Sequence, residues 1–285
     1  MLRKKTVLTV VVFVLFSLTA CGLRIDPPLT EEAESYLTSP NGDLIPSYEN
    51  VEYAVLDPAL FREDAKGRMY YDAPGVATYT GIDVSVFQRE IDWTAVKNDG
   101  IDFVMLRVGY RGYGSEGKIG QDDLFFEHYN GALAAGLKIG VYFFSQATSE
   151  KEAAEEARFV LDRIKGLQIT YPVAYDWEHI DYDTARTDDM SSDLISACAA
   201  SFCDTVTQAG YSALIYFNRE QGYFNYDLSM VSRYHFWLAE YLSNPSFVYD
   251  YKIWQYSKTG TVNGVEGSVD INISVFDYSG SNSIG

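Results

Sequence analysis

Past residue 79, short apolar runs alternate with amphipathic stretches, and this alternation constrains the fold more than any other feature of the chain. The runs are Gly81–Val86, Phe103–Val108, Ile139–Phe144, Val173–Trp177 and Ala213–Phe217. Between them lie Trp93–Asn98, Leu124–Ala135, Glu150–Ile164 and Asp193–Gln208, with apolar residues at helical spacing. Strands that are apolar on both faces need cover on both sides, which parallel strands receive from the helices connecting them. Ser149 with Glu152 makes a capping-box pattern at the start of the third helix. Gly136 and Gly210 stand where helices should stop. Beyond Phe217 the pattern thins, and His235–Ala239, Lys252–Tyr256 and Val269–Ile273 read as strands without full helices between them. Five strand–helix units followed by three strands over residues 79–279 predict an α/β barrel near the lower size limit for closure. A doubly wound open sheet is the competing arrangement.

Acidic residues interrupt these strands. Asp176 and Glu178 flank Trp177 at the end of the fourth strand, and strand alternation sends both carboxyls to one face. Asp83 lies in the first strand and Asp270 in the last. Carboxyls in apolar strands are costly to bury unless paired or used. In a closed barrel the first and eighth strands become neighbours, which brings Asp83 and Asp270 together. Carboxyls crowded in one pocket do not all ionise freely, so at least one keeps its proton to higher pH. An acid beside a base is the requirement of glycoside cleavage. Asp-x-Glu alone is a weak signal; its position and the two matching acids strengthen it.

Other chemistries lack parts. The chain has no Walker A sequence and no Gly-x-Ser-x-Gly elbow, and Gly109-Tyr-Arg-Gly112-Tyr-Gly114 does not match a dinucleotide fingerprint in spacing. His128, His179 and His235 are scattered, so neither a metal centre nor a cofactor is expected, although His179 adjoins the acid pair and keeps a carboxylate metal site open. Lys and Arg number 22 against 40 Asp and Glu, and a net charge of −18 disfavours nucleic acid as a partner. Aromatic residues are 15% of the chain and biased to Tyr, a ring suited to sugar grooves, although core packing competes for each of them.

The N-terminus is read as an address. Arg3, Lys4 and Lys5 precede an apolar run from Val7 to Leu18, shorter than a membrane span. Leu18-Thr19-Ala20-Cys21 resembles the bacterial lipobox, which implies a signal peptide over residues 1–22, lipidation at Cys21 and an extracytoplasmic, membrane-anchored protein; an uncleaved anchor is the alternative. Cleavage removes three positive charges and takes −18 to −21. Residues 23–78, with six prolines and eleven acidic against four basic residues, read as a mostly extended spacer, or else as an arm packed on the domain. Residues 280–285 form a tail. Cys198 and Cys203, five apart in one helix, are roughly 8 Å apart and read as buried free thiols.

Seven segments occur in an order that resembles glycoside hydrolase family 25, the muramidase-type lysozymes. They are Tyr79–Gln88, Phe103–Tyr110, Gly140–Phe144, Pro172–Glu178, Phe236–Tyr241, Trp254–Ser257 and Val269–Asn272. The resemblance implies a flattened TIM-like barrel that hydrolyses the β-1,4 bond between N-acetylmuramic acid and N-acetylglucosamine in peptidoglycan strands. It implies Glu178 as general acid and then base, and Asp176 stabilising charge at the sugar ring or orienting the substrate acetamido group. Asp83 and Asp270 would complete the acidic floor. Tyr142, Tyr216, Trp237 and Tyr241 fall at strand ends where they would line the glycan groove; Gln255 is a candidate sugar hydrogen-bonder, and Arg107 a partner of the acids or of a plain ion pair. Phe143 stands where many members carry His, and alternation turns it away from the pocket. A monomer is expected. The competing functions are a catalytically silent wall-binding lipoprotein and a glycosidase for another N-acetylated polysaccharide. If Cys21 carries the anchor, Cys21→Ser abolishes incorporation of labelled fatty acid and moves the protein from the membrane to the soluble fraction.

Overall fold

The computed structural model describes residues 36–278. The segment read as a signal peptide (with Cys21), the first part of the spacer and the tail lie outside the described residues. An N-terminal arm comes first, with β1 (Tyr36–Thr38) paired to β2 (Leu44–Pro46), a 3-10 turn at Pro58–Leu60, and β3 (Phe61–Glu63) paired to β4 (Met69–Tyr71). The units β5 (Tyr79–Val84) with α1 (Trp93–Asn98), and β6 (Phe103–Arg111) with β7 (Ile119–Gln121) and α2 (Phe125–Ala134), follow. Then come β8 (Lys138–Ser145) with α3 (Glu150–Ile164), and β9 (Val173–Trp177) with α4 (Ser192–Gln208). β10 (Ala213–Asn218) leads into the short helices α5 (Arg219–Phe224) and α6 (Leu228–Val231). The last strands are β11 (His235–Ala239), β12 (Ile253–Gly260) and β13 (Val269–Ser274).

Pairing closes the sheet in the order β5-β13-β12-β11-β10-β9-β8-β6, with β6 returning to β5. The open-sheet alternative is thereby excluded. Seven strands run parallel, while β13 is antiparallel to both β12 and β5. β7 is an added edge strand on β6 that periodicity did not reveal, and the pair α5 and α6 is likewise new.

Alternation divides each strand between two cores. Phe103, Met105, Tyr171, Leu214, Trp237 and Ile253 fill the barrel interior, where Phe103 and Tyr171 stack at 4.5 Å. Gly81 makes room for that ring, since a Cβ there would lie 2.3 Å from Phe103. The outward residues, such as Val104, Val141, Tyr175 and Ile215, pack under the helices. Ser149 accepts from the Glu152 amide and opens α3 as expected, while the Glu152 carboxylate turns to the Thr148 amide. Gly136 and Gly210 take φ of +74° and +89° at the helix ends. Cys198 and Cys203 are buried free thiols.

The expectation of a mostly extended spacer is corrected over residues 36–78. Ile45, Val51, Phe61, Met69 and Tyr71 are buried in the same apolar cluster as the barrel wall, so the arm alternative is the one observed. The physical reason lies in the last strands. No helix follows β11 or β12, and the outward rings of β12 need another cover. Phe61 packs edge-on against Trp254 at 5.0 Å, and the Met69 amide donates to the Tyr256 hydroxyl at 3.3 Å. Tyr249 donates its hydroxyl to the Pro46 carbonyl at 2.9 Å. Lys66 and Arg68 both pair with Asp99 at the end of α1, and Arg219 at the start of α5 pairs with Asp43 at 2.7 Å. Phe61→Ala should therefore lower unfolding free energy by about 3–5 kcal/mol, read as a drop in the denaturation midpoint at unchanged slope.

Candidate active site

Strand polarity decides which side chains meet. Asp83 near the end of β5 and Asp176 near the end of β9 both point inward at the carboxyl-end mouth of the barrel, and Glu178 follows just past β9. Asp270 stands at the beginning of β13, which in a parallel strand would put it at the opposite mouth. Because β13 runs the other way, Asp270 lies directly opposite Asp83 in the ladder. All four carboxyls expected from the sequence occupy this one mouth, linked as a chain of neighbours: Asp270 contacts Asp83, and Asp176 contacts Glu178 through their carboxyls.

A buried amide network holds Asp83. Its Oδ2 accepts from Asn272 Nδ2 at 2.7 Å and from Gln255 Nε2 at 2.9 Å. Gln255 Oε1 in turn accepts the hydroxyls of Tyr216 at 3.1 Å and Tyr241 at 2.8 Å. Asn272 Oδ1 accepts the Trp237 indole N–H at 2.8 Å. Both amides are thus oriented by a second donor, and each can present only its NH2 to Asp83.

Burial raises the pKa of every carboxyl in the cluster. Asp83 is pushed well above the ordinary range by burial and then by the charge of Asp270, against the opposing hydrogen bonds from Asn272 and Gln255. Asp176 is raised well above it by burial, then by Glu178 and Asp83. Glu178 is raised by burial and then by Asp270. Asp270, half-buried, is raised by burial, with the hydrogen bond to Asp83 and the Lys258 charge opposing. The cluster therefore retains protons at pH values where isolated carboxyls have lost them. Of the four, Glu178 is the one lining a cleft of about 310 Å³ between the end of β9, the loop that follows it and α5. Gln146 Nε2 donates to the Glu178 carbonyl at 2.9 Å, and Thr187 donates to Gln146 Oε1 at 2.8 Å, which fixes that loop.

The rings and polar groups expected along the groove divide by depth. Tyr241 is 44% exposed and stands at the mouth, while Tyr142 is half-buried. Trp237 is corrected: at 1% exposure, edge-on to Tyr216 and Tyr142, it has no face to offer a sugar and acts as floor. Tyr216 is buried as well. Gln255, 3% exposed with both its oxygen and its nitrogen engaged, holds Asp83 and is not open to a sugar. Arg107 makes the plain ion pair, Nε to Asp122 Oδ2 at 2.8 Å, and acts on Asp176 only through its charge. Phe143 faces outward against Phe159, as alternation required. Asn272 and Asp122 were given no role from the sequence; Asn272 could have been found two residues from Asp270, on the same strand face. His179 lies 3.9 Å from Asp188 and 4.0 Å from Asp181. Among the described residues no three His, Cys, Asp or Glu side chains are grouped to hold a metal ion.

Comparison with known proteins places this geometry. The family model of glycosyl hydrolases family 25 matches residues 82–265. The chain is 31% identical over 194 residues to the autolytic lysozyme of Clostridium acetobutylicum, covering 67% of this chain and 54% of that protein. It is 28% identical over 205 residues to lysozyme M1 of Streptomyces globisporus, covering 67% and 66%. The chain thus spans about half the length of the first of these relatives and about two thirds of the second. In fold it is similar to the bacterial lysozyme from Streptomyces coelicolor, with a TM-score of 0.60, 24% identity and coverage of 73% of this chain and 99% of that one. It is similar also to the modular autolysin LytC from Streptococcus pneumoniae, solved with a synthetic peptidoglycan ligand, with a TM-score of 0.60, 23% identity and coverage of 85% and 56%. The chain belongs to glycosyl hydrolase family 25.

Proposed function

We propose that the protein is a lysozyme of the N-acetylmuramidase type, which hydrolyses the β-1,4 bond between N-acetylmuramic acid and N-acetylglucosamine in peptidoglycan. The observation that carries this reading is the convergence of Asp83, Asp176, Glu178 and Asp270 at one barrel mouth, each with a pKa raised first by burial. A groove that only held glycan would have no use for such a cluster, whose burial costs stability. Glu178, just past the end of β9 at the barrel mouth, is the group that protonates the leaving oxygen, then activates water.

Asp176 is the deeper partner. After burial, the charge of Glu178 is what raises its pKa most. As charge develops at the sugar ring it would stabilise that charge, either directly or by orienting the substrate acetamido group. Asp83 and Asp270 act behind this pair, holding negative charge and proton in place. The Cys21 anchor would set the enzyme at the outer face of the membrane, next to the wall it acts on.

Glu178→Gln should reduce release of reducing ends from purified peptidoglycan by about 10²–10⁴-fold while the thermal midpoint stays close to wild type; unchanged turnover overturns the assignment. The general acid must carry its proton, so kcat/KM should fall on the alkaline side only as pH passes a value above the usual carboxylate range near 4.3. Stability follows the same sign. A carboxyl with a raised folded pKa stabilises fully below its unfolded value near 3.8, and that contribution is lost as pH rises through the folded value. Asp176→Asn removes the loss, so its thermal midpoint should gain on wild type as pH is raised from about 4 to about 7.

A further inference from the structure

We propose that the N-terminal arm is part of the active site's support, with Asp43 and Arg219 as positioning residues that set Tyr241 at the barrel mouth. The proposal rests on the hydrolase reading and adds to it a residue, Asp43, outside the segment that the family shares. The loop after β11, residues 240–252, joins two parallel strands without a helix. It leaves β11 at the mouth, and its second residue is Tyr241, whose hydroxyl donates to Gln255 Oε1 at 2.8 Å. Gln255 is the amide that donates to Asp83. The start of this loop is thus two hydrogen bonds away from the carboxyl cluster.

Glu240 fixes the point from which Tyr241 departs. Its amide donates to the Gln255 carbonyl at 3.1 Å, and its carbonyl accepts the Trp254 indole N–H at 2.8 Å. Its buried carboxylate folds the loop back on itself. There Oε2 accepts the amides of Ser246 at 2.7 Å and Phe247 at 3.3 Å, and Oε1 accepts the Ser246 hydroxyl. A buried carboxylate needs a counter-charge. Arg219 supplies it, with Nε 3.4 Å from Oε1.

The arm aims that guanidinium. Arg219 Nη2 donates to Asp43 Oδ2 at 2.7 Å and to Ser39 Oγ at 3.3 Å. The guanidinium is planar, so anchoring Nη2 fixes the direction of Nε. Asp43 is itself presented by a closed turn, in which its amide donates to the Ser39 hydroxyl at 3.1 Å and its carbonyl accepts the Ser39 amide at 2.8 Å. Two contacts independent of the ion pair bring the arm to the same loop. Asn41 Nδ2 donates to the Ser246 hydroxyl at 2.9 Å. Farther along, the Ala54 amide donates to the Val248 carbonyl and the Asp250 amide to the Glu52 carbonyl, both at 2.9 Å. Asp43 is exposed, and an ion pair so placed adds little to global stability. Its effect therefore falls on where the loop sits rather than on whether the chain folds.

Kinetics on purified peptidoglycan test this, with kcat and KM separated. Asp43→Ala should raise KM about two- to five-fold, with kcat little changed and the thermal midpoint near wild type. Asp43→Glu keeps the charge and should recover most of that loss. Arg219→Gln should raise KM further, at a lower midpoint, because the buried Glu240 loses its counter-charge. Lys66→Met removes an arm ion pair at another place, to Asp99 at the end of α1, and should leave KM alone. Hydrogen exchange reads the loop directly: amides of residues 240–247 should exchange faster in Asp43→Ala and not in Lys66→Met. An unchanged KM in Asp43→Ala overturns the proposal, as does an Asp43→Glu variant no better than Asp43→Ala. An equal rise in Lys66→Met marks general loosening of the arm and overturns it too. If wild type releases no reducing ends, it is the hydrolase reading that fails. Exchange over residues 240–247 then decides by itself whether Asp43 sets the loop.

Discussion

A barrel of this kind can be closed by a strand entering from either end, and here the last strand enters against the direction of its neighbours. That reversal is the constraint on which the rest of the site depends. It carries Asp270 to the mouth where Asp83 ends its strand and sets the two in register. It also places Asn272 two residues deeper, where its amide reaches Asp83 while the Trp237 indole holds the other side. With a parallel last strand, Asp83 would lose its partner and one of its two donors at once. Neighbouring carboxyls held this way cannot both ionise without cost, and the neutral form is what acid catalysis needs.

The fold was largely legible because strands covered on both faces announce themselves as unbroken apolar runs. Val173–Trp177 and His235–Ala239 begin and end where the runs do. The four acids were legible for the complementary reason, as charges interrupting runs that otherwise tolerate none. Periodicity carries no information on strand direction, so the reversal of β13 had to be sought in loop length. Residues 261–268 leave too little chain for a parallel crossover, which takes a dozen residues or more. Alternation also gives the face of a side chain but not its depth. Trp237 was expected to line the groove and Gln255 to bond a sugar; the structure shows that both lie below the mouth, as supports of Asp83.

The arm was harder to read. Its strands are three residues long, too short to establish a period, and its prolines and acidic excess imitate a flexible linker. The informative signal lay elsewhere in the chain, in the missing helices after β11 and β12. A sheet face without its own helix has to be covered by something, and Phe61, Met69 and Tyr71 of the arm supply that cover.

The family match starts at residue 82, after the arm has ended. A protein excised at that boundary would keep every carboxyl of the site and still present a strip of bare indole and phenol rings along one flank. Such a strip is a surface for self-association, and preparations cut there would be expected to clump before they could be assayed. The folding unit of this protein is therefore larger than the segment the family shares.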